Sequence, residues 1–95
     1  MPAKTFVVSY TYVPEIAERR RPHRADHLAH LQRACDEGRL VLAGATADPV
    51  DGAILVVEAD SPGEVFAWVA SDPYARAGLI QAVSVREVTV AIARR

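Results

Sequence analysis

The sequence predicts an α+β domain in the order β-α-β-β-α-β, a four-stranded antiparallel sheet with its helices on one face. Three observations carry that prediction. Runs of β-branched and aromatic residues recur four times along the chain. Two of these runs are separated only by a turn, and each of the other two gaps holds a helix-forming segment with its own start or stop signal.

The elements follow in order. TFVVSYTYV, Thr5 to Val13, reads as a strand closed by Pro14. Pro14 to Arg21 reads as an irregular or short helical link. From Pro22 the run HRADHLAHLQRACDEG predicts a helix over about 22–37, stopped by Gly38. RLVLAGATA is a second strand, Asp48 to Gly52 a turn, and AILVVEA a third strand, the last two strands forming a hairpin. SPGE, Ser61 to Glu64, is a capping box with Pro62 at the first helical position, so a second helix runs from there to about Ala70. Asp72 caps a further short turn of helix that opens on Pro73 and ends at Gly78. The last segment, AVSVREVTVAIA, has Val83 and Val85 in one phase and Val88, Val90 and Ile92 in the other, which predicts a bulge or bend between Arg86 and Val88. This order is the split β-α-β of the ferredoxin-like fold.

Strand one carries Phe6, Val8, Tyr10 and Tyr12 on one side and Val7, Ser9, Thr11 and Val13 on the other; strand three sets Ile54 and Val56 against Leu55 and Val57. Two helices cover one face only. An apolar uncovered face on a small domain calls for a partner, and a second copy placed sheet on sheet supplies one, so a homodimer is expected.

The 95 residues make one domain, 1–95, with room for one modest core. The net charge of −1 argues against a nucleic-acid partner, and strand three offers no basic residue beside the aromatic residues of strand one, as an RNA-binding sheet requires. No apolar run reaches membrane-spanning length and no signal-like leader is present, so the expected location is the cytoplasm, with no membrane partner. Cys35 is the only cysteine, which excludes an intrachain disulfide and a cysteine metal cluster, and its place on the apolar side of the first helix marks it as a core residue.

At about 100° per residue, His23, His27 and His30 share one stripe of about 60°, while Leu28, Leu31 and Cys35 centre the apolar face about 110° from His23. His27 is then nearest the core edge and His30 farthest from it, so His23 and His30 read as solvated. A metal site is not expected: His23 and His30 stand about 10.5 Å apart along the axis at about 1.5 Å per residue, too far to share one ion, and no HExxH motif completes a ligand set. His27, between core and cavity, is either a packed boundary histidine or a group placed to exchange protons with a ligand.

HLAHLQRACDEGRLVLAG, His27 to Gly44, and DPYARAGL, Asp72 to Leu79, resemble the YCII-related (YciI-like) family of small bacterial proteins over nearly the whole chain. The resemblance implies a dimeric α+β barrel of ferredoxin-like topology. It matches the family histidine to His27, the second-strand glycine to Gly44 and the aspartate of the Asp-Pro-Tyr segment to Asp72, with Tyr74 beside it. It implies a His27–Asp72 dyad in a pocket, in which Asp72 both caps the short helix and fixes the His27 tautomer. Tyr10, Ser9 and Arg24 are then candidate polar companions for charge stabilisation or substrate orientation. The expected activity is a cofactor-independent proton transfer, of lyase or isomerase type, on a small hydroxylated cyclic or aromatic molecule. The alternative is a dimeric small-molecule-binding or accessory protein without catalysis.

Overall fold

The computed structural model describes residues 3–94. Its elements are β1 (Lys4–Tyr12), α1 (Ile16–Arg19), a 3-10 turn (Arg21–His23), α2 (Arg24–Asp36), β2 (Leu40–Ala45), β3 (Gly52–Ala59), α3 (Pro62–Ala70), α4 (Pro73–Arg76) and β4 (Ile80–Val88). The strands form one sheet in the order β2-β3-β1-β4, and β1 pairs antiparallel with both β3 and β4. This is the expected ferredoxin-like α+β arrangement.

The pleat of β1 decides what is inside. Phe6, Val8, Tyr10 and Tyr12 alternate toward the helices and are buried, and they meet Leu55 and Val57 of β3 and Val65 and Val69 of α3 in one core. Ladder partners share a face, so the opposite face holds Val7, Ser9 and Thr11 of β1 with Ile54 and Val56 of β3, Leu42 of β2, and Ser84, Arg86 and Val88 of β4. Leu42 and Ile54 on this open face are 53% and 41% exposed.

Helix ends form where the sequence marks them. Gly38, at φ 79°, ends α2: its N–H donates to the Cys35 carbonyl and the Arg39 N–H reaches the Ala34 carbonyl at 2.9 Å, the paired bonds of a Schellman motif. Gly78 ends α4 the same way, with the Leu79 N–H on the Tyr74 carbonyl at 2.9 Å, and Leu79 turns into the core. The Ser61 hydroxyl accepts from the Glu64 N–H at 3.3 Å, while the Glu64 carboxylate reaches one residue past its expected target, to the Asp60 N–H.

Three expectations change. The helix expected over about 22–37 is α-helical from Arg24, because Arg21, Pro22 and His23 form the 3-10 turn instead. The last strand starts earlier than expected, at Ile80, and ends at Val88. No bulge separates Arg86 from Val88: Val7↔Arg86, Phe6↔Glu87 and Thr5↔Val88 pair in unbroken register, and the slip lies at Thr11/Tyr12. The change of phase is a change of face. Val83 and Val85 pack against the core, Val88 lies on the open face, and Val90 and Ile92 continue past the start of β1, where no strand lies opposite among the described residues; they are 50% and 94% exposed.

Candidate active site

Three segments distant in sequence meet at one end of the helix layer. β1 brings Tyr10, α2 brings His27, and the break between α3 and α4 brings Asp72. Pro73 forces that break, because proline fits the first helical position and cannot extend the helix before it. The Asp72 side chain accepts from the Tyr74 N–H at 2.9 Å, the capping bond expected of this residue. The same oxygen, Oδ1, lies 2.7 Å from His27 Nδ1, and Oδ2 accepts from the Tyr10 hydroxyl at 3.0 Å. Asp72 is 0% exposed, so this carboxylate is removed from water and surrounded by three donors.

That arrangement fixes His27. With Nδ1–H donating to the carboxylate, Nε2 carries the free lone pair. The Tyr74 ring stacks on the imidazole, centroids 3.6 Å apart and planes 4° from parallel, and Tyr12 meets Tyr74 edge-on at 5.9 Å. Beside these rings lies a cavity of about 200 Å³, lined by His27, Tyr10, Tyr12, Tyr74, Arg20 and Arg24 and floored by the small residues Ala43, Gly44, Ala45 and Ala53.

The tyrosines stay protonated. Burial, then the Asp72 charge, pushes the Tyr10 hydroxyl far above its usual range. Burial, with Tyr74 and Asp72 nearby, holds Tyr12 up to about 12 against the opposing charge of Arg20. Tyr74 is raised as well, chiefly by burial, against the charges of Arg20 and Arg24. All three hydroxyls are therefore neutral donors at neutral pH.

Of the residues singled out in the sequence, His27, Asp72, Tyr10, Tyr74, Arg24 and Gly44 gather here. Ser9 does not. It pairs with Ser84 and Ile54 on the open sheet face, one residue out of phase with Tyr10, so it cannot reach the cavity. Tyr12 and Arg20 also line the cavity and were not singled out; Tyr12 is in phase with Tyr10 along β1, and Arg20 precedes Arg24 by one helical turn of nearly continuous helical backbone.

The inward stripe of α2 also differs from the expected one. His27, Leu31 and Ala34 face the core at i, i+4 and i+7, whereas Cys35 is exposed and Leu28 is 43% exposed. His30 is consequently not solvated. It is half-buried and stacks on Trp68 of α3 with centroids 5.0 Å apart, and neither His30 Nε2 nor Trp68 Nε1 finds a hydrogen-bond partner among the described residues. Burial lowers the His30 pKa below its ordinary 6.5. Among the described residues no group of three or more His, Cys, Asp or Glu side chains is placed to hold a metal ion, and no helix is long and apolar enough to cross a membrane.

Comparison with known proteins agrees with this architecture. Protein YciI of Escherichia coli O6:H1 is 38% identical over 78 residues, covering 73% of this chain and 80% of that protein. Protein YciI of Shigella flexneri matches to the same extent. The structure of 5-chloro-2-hydroxyhydroquinone dehydrochlorinase (TftG) from Burkholderia phenoliruptrix AC1100, in complex with 2,5-dihydroxybenzoquinone, superposes with a TM-score of 0.78 at 28% identity, covering 90% of this chain and 93% of that one. PA3566 from Pseudomonas aeruginosa shares the fold, with a TM-score of 0.61 at 11% identity over 97% of each chain. The family model for the YCII-related domain matches residues 5–89, and the chain belongs to that family.

Proposed function

We propose that the protein is a cytoplasmic, cofactor-independent acid/base enzyme of lyase or isomerase type acting on a small hydroxylated cyclic or aromatic substrate, with His27 and Asp72 as its proton-transferring dyad. The observation that carries this reading is the buried Asp72 carboxylate 2.7 Å from His27 Nδ1, which leaves Nε2 as a base beside a cavity. His27 Nε2 takes a proton from a ring O–H or C–H, and Asp72 stabilises the imidazolium without accepting the proton. In an elimination, the ring carbon that bears the leaving group first takes up a proton, and removal of a proton from a ring O–H then sends its electron pair into the ring as the bond to the leaving group breaks, that group departing with its electrons. In an isomerisation, the imidazolium returns the proton to another atom of the same molecule. Tyr74 and Tyr12 would donate hydrogen bonds to oxygen atoms that gain charge. Tyr10, whose hydroxyl is engaged by Asp72, positions the carboxylate and lends its ring to the wall. Arg24 and Gly44 complete the cavity lining.

The dehydrochlorinase similar in structure to this chain acts on a chlorinated hydroxyhydroquinone, which supports both the substrate class and the elimination chemistry. The same reading includes a homodimer, supported by the exposed Leu42, Ile54 and Val88 of the open sheet face.

The test is turnover of 5-chloro-2-hydroxyhydroquinone and its unchlorinated and alkylated analogues, followed by halide release and ring absorbance. His27→Gln should lower the rate by about 10²-fold or more, the usual scale for a general acid or base, with circular dichroism unchanged. A His27→Gln protein that keeps the wild-type rate would remove the dyad from the mechanism. Binding of these rings without turnover would assign the chain to a non-catalytic small-molecule carrier.

A further inference from the structure

We propose that this cavity takes its ligand as an anion, a single-ring molecule whose ionised oxygen is held by the guanidinium groups of Arg20 and Arg24. The proposal rests on the cavity being a ligand site and is independent of catalysis by His27.

The charges around the cavity point this way. Arg20 and Arg24 line it, and no Asp or Glu does. Among the other described arginines, Arg21 lies 3.4 Å from Glu18 and Arg39 lies 2.6 Å from Glu37, whereas Arg19, Arg33, Arg76, Arg86 and Arg94 form no ion pair and none of them lines the cavity. Arg20 and Arg24 make no such pair among the described residues. The Asp72 carboxylate beside His27 is fully buried with its oxygens taken by His27, Tyr10 and the Tyr74 N–H, so it is not their partner. The tyrosines cannot supply the missing negative charge, since all three remain protonated at neutral pH. An apolar floor with two unmatched guanidinium groups at its side attracts an anion, and arginine forks suit the planar oxygens of a carboxylate or a ring enolate.

Size and placement narrow the class. A cavity of about 200 Å³ is smaller than the roughly 300–1,000 Å³ typical of drug-sized ligands, so it admits one ring and not a nucleotide or a peptide. Arg24 precedes His27 by three residues on α2, which puts both on one helix face, and Arg20 lies one turn before Arg24. The positive charges therefore flank the wall that carries Nε2. A ring oxygen that is ionised on arrival, or becomes so by losing its proton to His27, lies within one anion-holding wall.

Calorimetric titration at neutral pH and low ionic strength tests this with three probes: benzoate, its neutral counterpart benzamide, and 4-nitrophenol held at a pH where it is ionised. The expected result is that the anions bind about tenfold or more tightly than benzamide, the scale of a charge-assisted hydrogen bond. Arg20→Gln and Arg24→Gln should each weaken anion binding by about tenfold while changing benzamide binding less than about twofold. Tighter binding of benzoate identifies a carboxylate ligand, and tighter binding of the phenolate identifies a ring oxyanion; both support the proposal. Equal binding of benzoate and benzamide, or anion binding unchanged in both arginine variants, overturns it. His27→Gln separates this from the catalytic reading: it should retain anion binding even as turnover is lost. Anion binding lost with His27→Gln yet kept in both arginine variants would place the anion on the imidazolium and likewise overturn the proposal.

Discussion

Replacing Asp72 distinguishes a helix cap from a residue that organises the whole site. The carboxylate is 0% exposed and meets three donors: His27 Nδ1 at 2.7 Å, the Tyr74 N–H at 2.9 Å and the Tyr10 hydroxyl at 3.0 Å. Were it only a cap, Asp72→Ala would cost about 0.5–2 kcal/mol. Removing one partner of a buried, hydrogen-bonded charge pair costs more, about 3–5 kcal/mol, because the remaining donors are stranded away from water. Asp72→Ser refines the comparison, since serine can cap α4 but is too short to serve His27 and Tyr10; it should recover only about 1 kcal/mol of the loss. Asp72→Asn keeps the shape and an acceptor for His27, so its stability cost should be about 1–2 kcal/mol, with the rate falling because the imidazolium loses its counter-charge. Urea unfolding monitored by circular dichroism and by the single tryptophan gives these differences directly. An Asp72→Ala protein within about 1 kcal/mol of wild type, or one fully rescued by serine, would refute the three-donor account.

His30 is held below its ordinary pKa of 6.5 by burial, so the unfolded chain binds its proton at higher pH than the folded one does; stability should fall as pH drops below about 6.5, and His30→Gln should remove that part of the slope. Because His30 stacks on Trp68, emission from the only tryptophan should fall over the same titration in wild type and not in His30→Gln. A Cβ on Gly52 would collide with the Tyr10 carbonyl, whereas one on Gly44 would meet nothing within 4 Å; Gly52→Ala should cost about 1–3 kcal/mol and Gly44→Ala under about 0.5 kcal/mol in urea unfolding. Light scattering should find about twice the chain's 10.3 kDa, and Val56→Arg, in the middle of the open face, should reduce it to one copy; a wild-type chain that is folded and monomeric at micromolar concentration refutes the dimer.

The strands and helix ends were legible because their signals are local. Alternation in TFVVSYTYV, the Ser61 cap, and the glycines at 38 and 78 each act within a few residues, and each does in the structure what the sequence indicates. The orientation of α2 was not legible in the same way. Apolar character alone points to Leu28, Leu31 and Cys35, but the helix packs through Ala34, whose small side chain admits a close approach, and through two histidines, one hydrogen-bonded to Asp72 and the other stacked on Trp68 of other elements. No pattern within α2 reports those partners. Pairing of His27 with Asp72 spans 45 positions, so composition and periodicity could place each at the edge of its element but could not join them; that step came from family resemblance. Ser9 shows the opposite failure, a polar residue next to Tyr10 in sequence and on the other side of the sheet in space. The end of β4 depends on where β1 starts, which the valines beyond Val88 do not reveal.

The outward turn of Cys35 gives the molecule a built-in means of observation. With one cysteine, exposed on α2, and one tryptophan on α3, the native chain accepts a single thiol-linked dye and already contains its energy donor. Movement of α2 against α3 can thus be followed by energy transfer without introducing any substitution. Cys35 also borders the shallow groove formed by Leu28, Leu31 and Leu42 beside the edge strand β2. The rate at which that thiol reacts, measured across protein concentrations, reads out whether association covers this groove or leaves it open.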